Sequence, residues 1–361
     1  MTPPNTQSTQ LAAATAGSSA SASRDAERQR GTHPAAPQRR THPAARLVAR
    51  MLLQRGLQAA FVAALVGGLS FLMMRLLPGD MAFRIAAGRY GYDMVTAQAA
   101  DAVRAELALD GPWLDGLLAW WSRLLHLDLG TSTVTGAPVA AEIAHQLGHT
   151  LWLALAALAV STLIALPLGF AAGRHAGGHT DRITLALSVL LRALPPFVLG
   201  ILLVLAFAVE LDWLPAGGHG EHGSWVAPAL TLGLGLAATA MRVARDAMAG
   251  VVAAPYWLFA RTKGLSDRVA MARHGVRNAA VPVVAYLGVQ LVYLLEGVVV
   301  VETLFAWPGI GHALVHAIFG RDVPMIQGTA LTMGLLFVAL NAAVDLACMA
   351  IDPRLRARVA R

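Results

Sequence analysis

Six apolar runs, each about as long as a bilayer is thick, leave this chain little choice of fold. They lie near Leu57–Leu77, Thr150–Ala172, Ile183–Val209, Trp225–Met241, Ala279–Val301 and Ile326–Ile351. A hydrocarbon core about 30 Å thick takes roughly 20 apolar residues of helix to cross. Inside it every backbone N–H and C=O must be satisfied by the protein, which leaves helices and closed barrels. The ten-residue alternation of a barrel strand does not occur. Hydrophobic residues make up 56% of the chain and charged ones 14%, against about 25% charged in soluble domains. The sequence predicts an all-α, polytopic membrane protein with six transmembrane helices.

Orientation follows from the basic residues, which short cytoplasmic loops retain. Arg39, Arg40, Arg46, Arg50 and Arg55 precede the first run, Arg174 and Arg182 lie between the second and third, and Arg354, Arg356, Arg358 and Arg361 follow the last. On the other side, Glu210 to Ser224 holds no lysine or arginine, and Ala306 to Met325 holds only Arg321. Both termini are therefore expected in the cytoplasm, with about 78–149 as an external loop long enough for helices of its own. This topology accounts for most of the net charge of +7, so no nucleic-acid partner is expected.

Residues 1–45 are rich in Ala, Ser, Thr, Pro and Gln and have no apolar periodicity. Such a segment buries too little surface to offset its ordering entropy, and a disordered low-complexity tail is expected. The single cysteine, Cys348, reads as a packing residue in the last span.

The chain carries few marks of chemistry. A phosphate-binding loop needs Gly-Lys-Ser/Thr, but the only lysine, Lys263, stands between Thr262 and Gly264. The twelve histidines form no His-Glu-x-x-His pair. His219, Glu221 and His222 could hold a metal but read better as a solvated turn, and no metal site is expected. What stands out is a basic island from Arg242 to Pro282, holding seven of the 28 basic residues.

Several motifs recur along the chain: RLLPGD (75–80), AVRAELALDGPW (102–113), LDLGTS (127–132), ALPPFVLG (193–200), DWLPAGG (212–218), ARTKGLSDRV and RHGVRNAAVPVV in the island, VETLFAWPGIG (301–311), RDVPMIQG (321–328) and NAAVDLACMAIDPRLR near the end. In this order, from about Arg46 to Arg358, they resemble the permease subunits of bacterial ABC importers of the dipeptide/oligopeptide/nickel group.

The resemblance implies an ABC type I importer permease spanning 46–361 of the inner membrane. Its implied partners are a second homologous permease, two ATP-binding subunits or domains, an external solute-binding protein and the lipid bilayer. No cofactor is implied on this chain, since ATP and magnesium would sit on partner subunits, and the chain itself would not be an enzyme. Peptide is the leading cargo, with nickel or another small solute behind it.

The resemblance also makes the cytoplasmic loop at about 242–278 an ATPase-docking loop with two short helices, Tyr256–Thr262 and Ser266–His274, broken at Gly264. Tyr256, Ala260, Arg261, Lys263, Gly264, Leu265 and Ser266 would form the docking surface, with Ser266 capping the second helix. Ala260 and Gly264 match the family's EAA-x-x-x-G pattern, but Leu258 stands in the glutamate's place, and the nearest proline after it, Pro282, comes late.

Ionisable groups within spans are costly and mark function. Arg192, just before Pro195 and Pro196, and Glu296 are candidates for the translocation path. Glu302, Asn341 and Asp345 are candidates for locking helices together, Asn341 and Asp345 sharing a helix face. A proton-coupled secondary transporter remains as a rival that would need no ATPase.

Overall fold

The computed structural model describes residues 43–351 apart from 77–78, 92, 94, 108–111 and 127. The expected tail, the four C-terminal arginines, part of the 102–113 motif, and the side chains of Glu296 and Cys348 lie outside the described residues. The chain divides into Met1–Val48 and Ala49–Arg361, and the second unit carries the elements that matter for function.

Helix α1 is Pro43–Leu76. The segment expected outside contains α2 (Met81–Tyr90), α3 (Ala97–Glu106) and α4 (Trp113–Leu125). Next come α5 (Val139–Arg174), α6 (His179–Ala193), α7 (Pro196–Leu203, running on in π-helical turns to Glu210) and α8 (Val226–Ala253). Two short helices, α9 (Pro255–Thr262) and α10 (Asp267–Ala270), lead through a π turn at Met271–Gly275 into α11 (Val276–Leu304). Helices α12 (Ile310–Gly320) and α13 (Val323–Ile351) complete the order. Among the described residues there is no strand, only an isolated bridge between Thr131 and Pro138.

Four helices are continuous, apolar and long enough to cross a membrane: Leu52–Ser70 within α1, α5, α8 and Val323–Leu346 within α13. The other two expected spans are bent pairs, and counting each pair once gives six. Helices α6 and α7 meet at 102°, and Val276–Val292 meets Gly297–Leu304 at 62°. The first bend has a plain cause. Pro195 and Pro196 lack the N–H groups that would bond back to Leu191 and Arg192, so the third apolar run is two helices rather than one.

Two helices overshoot their apolar runs. Helix α5 starts at Val139 rather than near Thr150, behind Pro138 and with Glu142 in its first turn, where a carboxylate suits the positive end of the helix dipole. Helix α8 continues past Met241 through Arg242 and Arg245 to Ala253. Hydropathy records where lipid lies; beyond it each stretch carries a glycine, Gly148 and Gly250, that the helix tolerates, and with no proline in either stretch the helix extends into water.

The core pair is α5 against α8, joined by small residues. A methyl group on Gly169 would lie 2.5 Å from Ala244 Cβ and 2.7 Å from the Met241 carbonyl. One on Gly233 would lie 2.6 Å from Val160. These glycines let two backbones approach closely, the usual route to tight packing between membrane helices. The Gly169/Gly173 pair thus serves a seam within the chain. Helix α11 adds Leu294, Val298 and Val301 to a core with Leu153, Ala157, Ala229, Leu232 and Phe305. Helix α1 lies against α13, through Val62 on Gly334 and an Arg55–Asp345 ion pair.

Candidate functional site

At the arginine-rich end, α9 is seated by one face. Trp257 and Ala260, three residues apart and so on one side, are buried with Met248, Val251, Ala270 and Ala279. Tyr256, Leu258 and Phe259 are exposed, and the Lys263 ammonium lies 4.5 Å from the centre of the Phe259 ring. Gly264 ends the helix at φ +83°. Its N–H donates to the Arg261 carbonyl at 3.0 Å, and the Leu265 N–H reaches back to the Ala260 carbonyl at 3.3 Å. These are the two bonds that close a glycine-terminated helix, and Leu265 packs against the cluster that includes Ala260. A Cβ on Gly264 would meet no atom within 4 Å, so the corner is open on its outer side.

Ser266 then precedes α10, its carbonyl accepting the Ala270 N–H at 2.9 Å. The second short helix expected at 266–274 is not a separate element. It is one short turn and a π turn continuous with α11, because nothing between Asp267 and Val276 interrupts the helical backbone.

Behind this corner is a clamp that the sequence did not disclose. Arg245, on the last turns of α8, donates to both oxygens of Asp181 on α6, from Nε at 3.0 Å and Nη2 at 2.6 Å. Asp181 also accepts the Gly177 N–H at 2.8 Å. A methyl group on Gly173 would lie 2.8 Å from Met248 Cβ and collide with the Arg245 carbonyl. The ends of α5, α6 and α8 are thereby fixed to one another about two to three turns before α9 begins. A lone aspartate opening an apolar run was a usable signal, but its partner is 64 residues away.

At the opposite end the scattered motifs meet. Glu302 is fully buried, and its carboxylate accepts N–H bonds from Gly311 (2.8 Å) and His312 (3.3 Å) in the first turn of α12. Thr150 Oγ1 donates to Glu302 at 2.6 Å and accepts the Ile310 N–H at 2.9 Å. All three leading N–H groups of α12 are thus capped by α5 and α11. Gly309 leaves room for the carboxylate, which any Cβ there would strike.

Asp322, also buried, accepts from Ser132 Oγ, from Thr133 N (3.1 Å) and Oγ1 (3.2 Å), and from Met325 N (3.3 Å). It joins the 127–132 motif to the start of α13. Asp80 caps α2 through Ala82 N at 2.9 Å and pairs with Arg104 at 2.5 Å. Burial alone would raise the Asp80 pKa, but the Ala82 N–H and the Arg104 guanidinium outweigh it and hold the carboxyl below its usual 3.8. Gly218 N donates to the Phe305 carbonyl at 2.7 Å, and Gly200 packs on Leu304 and Phe305.

A cavity of about 530 Å³ opens among these caps, lined in part by Glu142, His145, Gln146, His312 and His316. Burial, with the His316 imidazole beside it, keeps His312 below its usual pKa of 6.5. His219 packs edge-on against His149 and Trp307. Among the described residues no three metal-ligating side chains converge.

The remaining sequence candidates are dispersed. Arg192 is exposed beside the α6/α7 bend, Glu296 lies on α11, and Asp345 pairs with Arg55 on α1. Asn341 Nδ2 donates to the Phe337 carbonyl of its own helix at 2.9 Å, so Asn341 and Asp345 share a face without bonding to each other.

Residues 165–357 match the family model for the binding-protein-dependent transport system inner membrane component. The glutathione transport system permease protein GsiC of Pectobacterium atrosepticum is 38% identical over 288 residues, 80% of this chain and 92% of that protein. The protein of the same name from Escherichia coli K12 is 37% identical over 292 residues, 81% of this chain and 94% of its own. A solved amino acid ABC transporter with histidines overlaps 58% of this chain and 94% of its own at 14% identity, with a TM-score of 0.46.

Proposed function

The chain belongs to the family of binding-protein-dependent transport system inner membrane components, and from that premise we propose that it forms, with a second permease, the path by which peptides cross the inner membrane. The observation that carries the peptide assignment is the near full-length match to permeases named for glutathione transport. Glutathione is a tripeptide, and identity of 37–38% over more than nine-tenths of those proteins favours cargo of the same chemical class.

The driving energy comes from ATP bound with magnesium on separate subunits. The corner from Tyr256 to Ser266 is where such a subunit docks. Its inner face is fixed to the bundle through Trp257 and Ala260, and its outer face presents Tyr256, Leu258, Phe259 and an open glycine. Apolar side chains exposed at a basic, expected cytoplasmic end suit a protein partner better than lipid. Closure of the ATPase pair would push on α9, and the Asp181–Arg245 clamp would carry that displacement to α6 and the bend at Pro195. A permease of this kind alternates between inward- and outward-facing states and performs no reaction itself.

The test is uptake into proteoliposomes holding the complete assembly, with labelled glutathione, a dipeptide and Ni²⁺ offered through the solute-binding protein. ATP-dependent peptide uptake is expected, with none by this chain alone under a proton gradient. Uptake by the chain alone would make it a secondary transporter, and uptake of Ni²⁺ without peptide would overturn the cargo class.

A further inference from the structure

At the end of the molecule where Glu302 caps α12, two histidines of α5 face each other. His145 and His149 stand four residues apart, on one side of the helix, and their Nε2 atoms are 3.3 Å apart. That is long for a hydrogen bond. It is the spacing that a metal ion asks for: with metal–nitrogen bonds of about 2.0–2.1 Å, two imidazoles at a tetrahedral angle hold their nitrogens about 3.3–3.4 Å apart.

The setting favours a cation. His149 is fixed from behind, its carbonyl accepting the Trp307 Nε1–H at 3.2 Å and its ring packed edge-on against Trp307 and His219, with centres 5.8 and 4.6 Å apart. A ligand already oriented by such neighbours binds a metal more tightly. His145 is exposed, so an ion reaches the pair from water. It also lines the cavity of about 530 Å³, together with Glu142, one turn before it, and Asp322, but with no lysine or arginine. Two carboxylates with no basic residue among the lining draw positive charge to this rim.

We propose that His145 and His149 form a bidentate chelate for a divalent transition-metal ion, Cu²⁺ or Zn²⁺, at the edge of the cavity. Imidazole nitrogen suits both ions, and copper binds such ligands the more tightly. Each Nε2 must offer its lone pair, so the imidazole that donates in the present contact moves its proton from Nε2 to Nδ1. Both rings stay neutral, and no proton is released. His219 lies against the His149 ring, but among the described residues no third ligand joins the pair. The ion therefore keeps positions open to water or to a donor atom of a molecule in the cavity. The site is independent of the cargo assigned above, since the ion is held and not carried.

The probe is Cu²⁺ alone, added below one equivalent to the full chain in lipid nanodiscs at neutral pH. Pulsed EPR is expected to show copper coupled to two imidazoles. His145→Ala and His149→Ala should each weaken binding by about tenfold or more and remove the two-imidazole signal, whereas His312→Ala, across the cavity, should leave both unchanged. Because His149 also packs on Trp307, His145→Ala at its exposed position is the decisive variant, and an unchanged thermal midpoint without metal shows that its fold is kept. No bound copper, a single-imidazole signal, a two-imidazole signal that survives His145→Ala, or an equal loss in His312→Ala would each overturn the chelate.

Discussion

Replacing Gly264 separates the local shape of the docking corner from contact with a partner. At φ +83° a residue with a Cβ costs about 1–2 kcal/mol, and losing both closing bonds would add about 1 kcal/mol each. No clash adds to this, because the space around a Cβ at 264 is empty. The total, about 3–4 kcal/mol at most, falls on one exposed corner, so insertion and the seam of α5 with α8 should survive. Gly264→Asn tolerates left-handed backbone better than Gly264→Ala, but its side chain would project further into the open space. If only shape matters, ATP-driven uptake should follow Gly > Asn > Ala; if a partner fills the space, Ala should exceed Asn and Gly264→Asp should abolish uptake and stimulated ATPase activity. The assay is uptake and ATPase rate in reconstituted assemblies at matched permease levels. Full activity in Gly264→Asp would refute the reasoning, since both strain and bulk would then be harmless at the site where force is said to enter.

Three further outcomes follow from the geometry. Asp181→Ala removes a clamp of charged hydrogen bonds, each worth about 1.5–3 kcal/mol, and should leave ATP hydrolysis running while uptake falls about tenfold; the swap Asp181→Arg with Arg245→Asp should recover part of it. Glu302→Ala strands the N–H groups of Gly311 and His312 and the Thr150 hydroxyl, costing roughly 2–4 kcal/mol and lowering the thermal midpoint in detergent, whereas Glu302→Gln keeps an acceptor and should lose less. The lowered pKa of Asp80 means that its contribution is present above the usual carboxylate range and is lost as pH falls through its depressed value. Protease cleavage within α2 and α3 should therefore rise only below about pH 4, and Asp80→Asn should show the raised cleavage already at pH 7.

The number and place of the apolar runs were legible because lipid imposes a composition that no soluble helix needs. Helix ends were not: α5 and α8 run on through His145 and Arg245, where polar residues favour helix as readily as water. The motifs could be listed from the sequence but not interpreted from it. Glu302 reads from the sequence as a residue that locks helices together, but not as the cap of α12 that it is, while Asp322 carries no such mark although it joins Ser132 to α13. Such roles depend on partners 152 and 190 residues away, which spacing along a chain cannot disclose. Gly264 was the exception, because a left-handed helix end is a local demand that one residue type answers.

The central claim is that ATP's energy enters this chain through the corner at Tyr256–Ser266, and a cross-link tests it most directly. With Cys348→Ser as background, Leu258→Cys should join to an ATP-binding subunit within the complete assembly, in a yield that changes between the nucleotide-free and ATP-bound states. Position 258 free to react with aqueous maleimide in the assembled transporter, with no adduct in either state, would contradict it.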